Sequence, residues 1–372
     1  MRIRAAVESL PDYNAGRTPA LIAAEGGPAA AVKLSGNESP YPPLPGVIEA
    51  VARASELNRY PTPYADALRA AIGERLAVDA DVIAPAGGSL QLCRSVVEAT
   101  CDPGDEVIAP MPAFSAYRMA AELAGARFVG VPVLGPSAAE GPGLDVDAMA
   151  AAVGPRTRVV FLCSPHNPTS TGLAATGFVQ LMAAVPRETL VVLDEAYAEF
   201  ATDADTVRGM DMVASHPNLV VLRTFSKAYG LAGARIGYAV SGPVVAAALR
   251  RVTSPFSVSM PAEAAALAAL HPQALPELRR RRAEVIAERT RLTGELRRRG
   301  VDVADSAANF LWISSRHGPR WARDLERHGV ITRPYPDLGL RVTVGRPSEN
   351  DAFLRAFSDI AGDVKNDDQE WR

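Results

Sequence analysis

Cysteine is scarce in this sequence of 372 residues, with three copies at Cys93, Cys101 and Cys163. No two of them have the Cys-x-x-Cys spacing that is typical of metal sites and redox pairs. The small number and the irregular spacing argue against a disulfide framework and against a structural zinc site. We therefore expect no metal.

The sequence also lacks a surplus of one charge, since 39 lysines and arginines against 42 aspartates and glutamates leave a formal net charge of −3. A nucleic-acid partner or an anionic membrane surface would favour a basic excess. No run of about 18 apolar residues is available for a membrane span. The stretch 1–13 lacks the apolar segment of a secretory signal. We therefore expect a cytoplasmic protein that contacts neither nucleic acid nor membrane.

What the sequence does contain is a regular alternation of short apolar runs and helical patterns. We predict strands at 82–84, 107–109, 127–133, 158–163, 190–193 and 219–222, with helices at 90–100, 116–124 and 145–152 among them. Strands that are separated by helices are typical of a doubly wound, parallel sheet. The sequence thus indicates the α/β class.

The length suits one large domain and one smaller domain. We predict an N-terminal arm at 1–32, a large α/β domain at 33–245 and a small α+β domain at 246–372. Residues 33–64 of the large domain hold a proline cluster, which fixes an extended path and would join the small domain. In the small domain we predict strands at 308–313, 330–333 and 340–345 and a helix at 319–328.

One lysine follows a buried strand at a point where a solvated charge is unusual. The apolar run 219–222 is followed by a polar segment that contains Lys227. Thr224 and Ser226 place hydroxyl groups beside this lysine, and Arg235 adds a guanidinium eight residues further on. Hydroxyls and an arginine can bind a phosphate, and a lysine amine can form a Schiff base. The segment therefore combines three candidate phosphate ligands with one candidate nucleophile.

This segment resembles the lysine motif of the fold-type I, class I/II aminotransferases, which use pyridoxal 5′-phosphate (PLP). The motif Ser/Thr-x-Ser-Lys-x-Phe/Tyr-x-Leu-x-Gly-x-Arg-x-Gly is matched by Thr224, Ser226, Lys227, Tyr229, Leu231, Gly233, Arg235 and Gly237. The resemblance implies that Lys227 binds the cofactor covalently and later moves a proton between the substrate and the cofactor. It also implies that Thr224, Ser226 and Arg235 bind the phosphate.

The resemblance extends from about residue 33 to about residue 357. It implies the PLP-dependent transferase fold of type I, in which a large, doubly wound, mostly parallel-sheet domain is joined to a small α+β domain. The large domain, 33–245, would bind PLP, and residues 33–64 would also contribute to a dimer interface.

Further cofactor contacts are implied at three places upstream of the lysine. Gly88 and Ser89 lie at a predicted strand-to-helix turn, where backbone N–H groups can bind an anion, and the family has its phosphate cup there. Phe114 falls where the family stacks an aromatic ring on the cofactor, although a packed core phenylalanine stays the alternative. The resemblance implies that Asn167 donates to O3′ of PLP. Ser170 replaces the usual glycine of the family, which leaves the shape of this loop open.

A carboxylate stands at the end of another apolar strand. Asp194 directly follows the run 190–193, and a buried lone carboxylate is costly unless it has a partner. The protonated pyridine nitrogen of PLP would be such a partner, and Asp194 would keep the ring cationic and a better electron sink. The resemblance implies that Tyr197 hydrogen-bonds O3′ of PLP. Glu195 is interpreted as structural.

Other residues point to the substrate and to a second subunit. Arg341 alternates with apolar neighbours on a predicted strand and matches the clamp that the family uses for the substrate α-carboxylate. Arg333 and Asn37 are further candidates for substrate contact, with a surface arginine as an equal alternative for Arg333. By resemblance, Tyr64 lies at the cofactor phosphate of the neighbouring subunit, with a proline-rich surface connection as the alternative. The role of Tyr64 requires a homodimer.

The resemblance implies an aminotransferase that moves an amino group between a free amino acid and a 2-oxo acid such as 2-oxoglutarate. The segments RTFSKAYGLAG, at 223–233, and SPFSVS, at 254–259, favour an aromatic, phenylalanine-type amino acid as the substrate. Two alternatives stay open within PLP chemistry: a histidinol-phosphate aminotransferase of histidine biosynthesis, which Arg333 together with Arg341 would suit, and a decarboxylase of the same branch. A third is a binding protein on the same fold without PLP.

Overall fold

Seven strands form the central sheet of the structure, a computed structural model that describes residues 1–8, 10–12, 16–28, 30–135 and 142–360. They are β2 Ile83–Ala86, β3 Glu106–Met111, β4 Arg127–Pro132, β5 Thr157–Cys163, β6 Leu190–Asp194, β7 Leu219–Thr224 and β8 Gly237–Ser241. Their spatial order is β2-β8-β7-β6-β5-β3-β4. All pairs from β7 to β4 are parallel, and β8 runs antiparallel to both β7 and β2. The predicted α/β class and mostly parallel sheet are confirmed.

Helices precede, connect and follow these strands. In chain order they are α1 Ala5–Glu8, α2 Pro19–Ala24, α3 Val47–Arg53, α4 Asp66–Leu76, α5 Ser89–Thr100, α6 Ser115–Ala124, α7 Val146–Ala151, α8 Ala175–Ala184, α9 Pro243–Val252, α10 Met260–Leu270, α11 Leu275–Arg298, α12 Gly318–Arg327 and α13 Pro347–Ile360. Apolar side chains cover both faces of the sheet, which explains why its strands read as continuous apolar runs. On β6, Val191 and Leu193 belong to the core on one face, and Val192 belongs to the core on the other.

A second, smaller sheet lies in the C-terminal part of the chain. It has the order β11-β12-β9, with β9 at Phe310–Ser314, β11 at Arg333–Tyr335 and β12 at Gly339–Thr343, all antiparallel. The single strand predicted at 330–333 is wrong, because β10 Val330–Ile331 pairs with β1 Val32–Lys33 and only Arg333 onward pairs with β12.

The division of the chain at 1–32, 33–245 and 246–372 stays a prediction. The core on one face of the central sheet continues past residue 245, since Val258, Ala262 and Leu278 belong to it. Helix α10 accordingly packs against α3 and α4.

The two sheets meet at the carboxyl ends of β5 and β6. Cys163, Ala196 and Tyr197, at or just after these ends, share one apolar cluster with Leu34 and with Phe310 of the smaller sheet. The carboxyl edge of a parallel sheet is where ligands bind in open α/β folds. A ligand-binding site is therefore expected at this junction of the two sheets.

Candidate active site

A cavity of about 420 Å³ lies at the carboxyl ends of β5, β6 and β7. Candidate residues from several separate parts of the sequence line it together: Ser89, Phe114, Asn167, Asp194, Tyr197, Thr224, Ser226, Lys227 and Arg235. Most of them follow strands that run in one direction and end at the same edge of the sheet. Arg235 lies at that edge because it precedes β8, which runs in the opposite direction. Their roles toward a ligand stay predictions.

One end of the cavity carries hydroxyls, a guanidinium and a helix N-terminus. The backbone N–H of Ser226 donates to Thr224 Oγ1 at 3.1 Å, and Arg235 Nη1 lies 3.5 Å from Ser226 Oγ. Gly88 caps helix α5 with φ +95°, and a Cβ on it would lie 2.6 Å from Arg235 Nη2. The positive φ favours glycine here, since residues with a Cβ rarely adopt this conformation. The turn into Ser89, the guanidinium and the hydroxyls make this end suitable for a phosphate.

A buried carboxylate lies in another part of the cavity wall. Asp194 is 3% exposed; its Oδ2 accepts a hydrogen bond from Tyr117 Oη at 2.7 Å, and its Oδ1 accepts one from the N–H of Ala196 at 3.1 Å. Burial raises the pKa of Asp194, and the two hydrogen bonds oppose that rise because they stabilise the ionised form. The Tyr117 ring is fixed by stacking on Phe161, with centroids 4.5 Å apart. The carboxylate is thus held in one orientation.

The amine of Lys227 also faces this cavity. Its Nζ donates to the carbonyl of Gly36 at 3.2 Å and lies 5.7 Å from the centroid of the Tyr197 ring. Burial, and then the neighbouring Arg341 cation, lower the pKa of Lys227 to about 8. A neutral amine, which is the nucleophilic form, is therefore accessible at a much lower pH than for an ordinary lysine.

Arg341 and Asn37 lie beside the cavity and contact residues that line it. Arg341 Nη1 donates to Asn167 Oδ1, and its Nη2 donates to the carbonyl of Ser35 at 2.6 Å. Its Nε is buried without a hydrogen-bond partner among the described residues. Asn37 Nδ2 donates to Tyr197 Oη at 3.1 Å. A buried guanidinium with an unused N–H is suited to bind an anion.

The loop after β5 shows how a serine takes the place of the glycine in the family motif. Ser170 has φ +65°, in the left-handed region that glycine adopts most easily. Its N–H donates to the carbonyl of His166 at 2.8 Å, which closes the turn. The serine therefore adopts the backbone conformation that favours glycine, and Asn167, three residues earlier, still lies on the cavity wall.

Two of the predicted site residues lie apart from this cavity. Arg333 lines a neighbouring cavity of about 380 Å³. Tyr64 is partly exposed in the loop before α4 and is absent from the lining of both cavities. Nothing within the described part of one chain gives Tyr64 a place in the site, so its role in a second subunit stays a prediction.

Sequence reasoning missed Tyr117 and Cys163. Tyr117 donates to Asp194 across 77 positions of sequence, and the buried thiol of Cys163, whose pKa is raised by burial, lines the cavity beside Asp194. Cys163 and Asp194 are register partners in β5 and β6. The available signal for Tyr117 was its position one helical turn after Phe114, which places both at the start of the same helix.

Two other features concern metals and membranes. Within residues 1–8, 10–12, 16–28, 30–135 and 142–360, no group of three or more His, Cys, Asp or Glu side chains is arranged to hold a metal ion. In the same part of the chain, no helix has both the length and the apolar character needed to cross a membrane.

The mostly parallel α/β sheet carries a lysine, a buried carboxylate and a helix N-terminus suited to a phosphate at its carboxyl edge, which is the arrangement expected of the fold-type I class. The sequence model of the family "Aminotransferase class I and II" matches residues 29–357. The chain therefore belongs to the class I and II aminotransferases.

Curated relatives and solved structures agree with this family. The chain is 44% identical over 363 residues to an aromatic amino acid aminotransferase of Streptomyces coelicolor, covering 96% of this chain and 97% of the relative. It is 44% identical over 356 residues to one of Rhodococcus jostii, covering 95% and 94%. A histidinol-phosphate aminotransferase of Sinorhizobium meliloti, solved in complex with pyridoxal-5′-phosphate, has a TM-score of 0.86 at 29% identity and covers 98% of both chains. An aspartate aminotransferase of Thermus thermophilus, at 23% identity and a TM-score of 0.82 over 97% of this chain and 100% of its own, shares the fold.

Proposed function

We propose that this aminotransferase uses PLP to move an amino group between an aromatic amino acid and a 2-oxo acid such as 2-oxoglutarate. One observation carries the proposal: Lys227 lines the same cavity as Asp194 and as Ser226 and Arg235, whose side chains are suited to bind a phosphate. The aromatic preference is supported by the relatives, which are named aromatic amino acid aminotransferases at 44% identity. A cytoplasmic location stays a prediction.

The hydrogen-bond donors at one end of the cavity fit the phosphate of PLP. Thr224, Ser226, Arg235 and the N-terminus of α5 at Gly88 and Ser89 would hold the phosphate, and the missing Cβ of Gly88 keeps the guanidinium close to that turn. When bound, PLP supplies an aldehyde carbon for an amine and a ring that accepts electron density from the substrate.

The remaining residues would orient the ring and the substrate. Phe114 would contact the flat face of the ring, and Asp194 would hold its negative charge against the ring nitrogen, since Tyr117 and Ala196 stabilise the ionised carboxylate. Asn167 and Tyr197 line the same cavity and carry the polar groups that O3′ needs.

Lys227 would act twice. Its neutral Nζ would be the nucleophile that attaches the cofactor. Once displaced by the substrate amine, the free Nζ would accept the proton from the substrate Cα and donate it to C4′ of PLP. The lowered pKa of Lys227, about 8, favours both acts, because only the unprotonated amine can attack or accept a proton.

We expect capture of PLP by the apoenzyme to speed up as the pH rises through about 8, because the protonated form of Lys227 does not attack. Stopped-flow absorbance after mixing apoenzyme with PLP measures the rate at each pH. The matched variant is Arg341→Met: since the Arg341 cation lowers the pKa of Lys227, its removal should move the midpoint to higher pH. A rate that does not change with pH in this region would contradict the assignment.

Arg341 would bind the α-carboxylate of the substrate. Arg341→Lys keeps the charge and loses the planar pair of donors, so we expect kcat/KM for phenylalanine to fall by the equivalent of ~2–3 kcal/mol, the scale of hydrogen bonds to charged groups. Steady-state kinetics measure it, with Arg327→Lys on the exposed side of α12 as the control. Equal kcat/KM values for Arg341→Lys and the control would exclude the carboxylate role.

A homodimer with shared sites is also part of the proposal. Close to Tyr64 in the sequence, Leu57 and Tyr60 are 72% and 83% exposed, and the Tyr60 ring lies 4.8 Å from that of the half-exposed Phe256. A cluster of exposed apolar side chains is typical of a protein–protein contact. If a second copy covers this cluster, its own Tyr64, which lies close to the cluster in the sequence, would face the first copy.

Complementation tests this arrangement. Tyr64→Ala subunits and Lys227→Ala subunits, each inactive or nearly so alone, should regain about a quarter of the wild-type activity when mixed, because random pairing gives heterodimers with one intact site. The activity of refolded mixtures at several ratios measures it. A mixture no more active than its parents, or a fully active monomer in sedimentation, would refute shared sites.

The alternatives are separated by a substrate panel. Values of kcat/KM with 2-oxoglutarate should be highest for phenylalanine and tyrosine and lower for histidine and histidinol phosphate. A value for histidinol phosphate well above that for phenylalanine would favour the histidinol-phosphate aminotransferase, and release of CO₂ with an amine product would favour the decarboxylase.

A further inference from the structure

Arg289 occupies a core position of the long helix α11. Val285, Leu292 and Leu296 lie on the same side of this helix and share one apolar cluster with Phe310 of β9. Their spacing is that of the buried stripe of an amphipathic helix, and Arg289 falls within it. Arg289 is only 5% exposed. The pattern of the helix therefore predicts an apolar residue where the sequence has a cation.

The buried guanidinium is held by backbone carbonyls. Arg289 Nη1 donates to the carbonyl of Phe200 at 2.9 Å and to the carbonyl of Ala308 at 3.0 Å. No carboxylate of the residues that the structure describes forms an ion pair with it. Burial lowers the pKa of Arg289 to about 10, since desolvation disfavours the charged form. A cation in this place costs free energy that an apolar side chain would not.

The two carbonyls belong to segments that both contact Tyr197. Phe200 ends a short turn of helix, and its N–H donates to the carbonyl of Tyr197 at 2.9 Å. Ala308 lies two residues before Phe310, whose ring meets the Tyr197 ring edge to face with centroids 5.0 Å apart. One nitrogen of Arg289 thus holds the backbone that follows Tyr197 and the strand on which the Tyr197 ring packs.

The hydroxyl of Tyr197 is connected to the same strand by hydrogen bonds. Asn309, directly after Ala308, donates from Nδ2 to the carbonyl of Asn37 at 3.3 Å. Asn37 Nδ2 in turn donates to Tyr197 Oη at 3.1 Å. The contacts of Arg289 therefore reach Tyr197 by two routes, and together these routes fix both the backbone and the hydroxyl of the tyrosine.

We propose that Arg289 is a positioning residue, which holds the hydroxyl of Tyr197 in the place where it contacts O3′ of PLP. This inference rests on the proposed function, because Tyr197 has O3′ as a partner only when PLP occupies the cavity. Tyr197 lines that cavity, whereas Arg289 does not, so Arg289 acts through the tyrosine. An apolar side chain at 289 would fill the core and leave the carbonyls of Phe200 and Ala308 without this donor.

A double-mutant cycle on the affinity for PLP tests whether Arg289 acts through Tyr197. Equilibrium dialysis of the apoenzymes against PLP gives Kd for the wild type, Arg289→Met, Tyr197→Phe and the double variant. Tyr197→Phe should weaken PLP by roughly tenfold, the scale of one hydrogen bond to a charged oxygen, and Arg289→Met by less. The double variant should bind PLP no more weakly than Tyr197→Phe, because two changes that remove one contact do not add. Factors that multiply would overturn the inference.

The visible absorbance of the holoenzyme gives a reading that a general loss of stability does not move. A hydroxyl that donates to the O3′ oxyanion favours the deprotonated form of the bound cofactor, so its loss should move the pH midpoint of the visible band upward. Arg289→Met should move the midpoint in the same direction as Tyr197→Phe and by a smaller amount. Arg298→Met, at an exposed position of α11, is the control and should change neither the midpoint nor Kd. An unshifted midpoint in Arg289→Met would overturn the inference.

A second variant keeps the test decisive if Arg289→Met does not fold. Arg289→Lys keeps the charge and can still donate to a carbonyl, so its Kd should lie between those of the wild type and Tyr197→Phe. If only Arg289→Lys folds, the same cycle is measured with it, and an unchanged Kd and midpoint overturn the inference. Loss of affinity in Tyr197→Phe with wild-type values at position 289 would leave the proposed function standing. A wild type that binds no PLP would overturn both.

Discussion

Lys227→Ala should abolish turnover and the covalent attachment of PLP, while PLP still binds through its phosphate contacts. The residual binding is expected because Thr224, Ser226 and Arg235 do not depend on the amine. The absorbance maximum of the variant with added PLP should lie at the wavelength of free PLP. Gel filtration should still show PLP bound to the protein. Loss of the nucleophile and proton carrier together leaves no route to turnover.

The chain offers a clean control for this prediction, since it has only three lysines, Lys33, Lys227 and Lys365. Borohydride reduction of the wild-type holoenzyme followed by peptide mapping should place the adduct on Lys227. Lys365→Ala should keep both the adduct and the activity. An adduct on Lys33 or Lys365 would contradict the assignment of the site.

Asp194→Ala should lower kcat by roughly 10²-fold or more, the scale of one well-placed electrostatic group in a site closed to water. The reason is that the ring nitrogen of PLP loses its negative partner and the ring becomes a poorer electron acceptor. Single-turnover rates with phenylalanine measure the step without product release. Asp194→Glu keeps the charge and should be milder.

Tyr117→Phe is the matched partner of the Asp194 variants. It removes one hydrogen bond to Oδ2 and leaves the carboxylate in place, so the rate should fall less than in Asp194→Ala. Because the Tyr117 hydroxyl lowers the pKa of Asp194, its loss should raise that pKa, and activity should then begin to fall at a higher pH as the solution is acidified. Wild-type rates in both Asp194 variants would show that the ring-nitrogen role is misassigned.

The strands that carry the site were predictable because a buried parallel strand is a continuous apolar run. The run 219–222 predicted β7, which the structure extends to Thr224 since Arg223 and Thr224 continue the ladder with β8. Glu195, interpreted as structural, is buried and ion-paired with Arg223 at 2.8 Å. The apolar pattern of the sequence thus located the strand β7, but it did not predict the polar residues at the end of that strand.

The rest of the site depends on contacts between distant segments, which spacing does not encode. Tyr117 reaches Asp194 only because the fold brings the start of α6 to the end of β6, and no local pattern marks that hydrogen bond. Arg333 was a further candidate for substrate contact with a surface arginine as an equal alternative; the structure places it in the lining of a neighbouring cavity, and its role stays a prediction. Tyr64 shows the further limit, because its proposed partner lies on another copy of the chain.

Amino transfer from an aromatic amino acid to PLP held by this chain can be measured as a single half-reaction. Purified holoenzyme is mixed with excess phenylalanine and no 2-oxo acid, and the absorbance and the products are followed through a single turnover. We expect loss of the visible band of bound PLP and one phenylpyruvate per subunit, with no CO₂. An unchanged band, or CO₂ and phenylethylamine in place of phenylpyruvate, would contradict it.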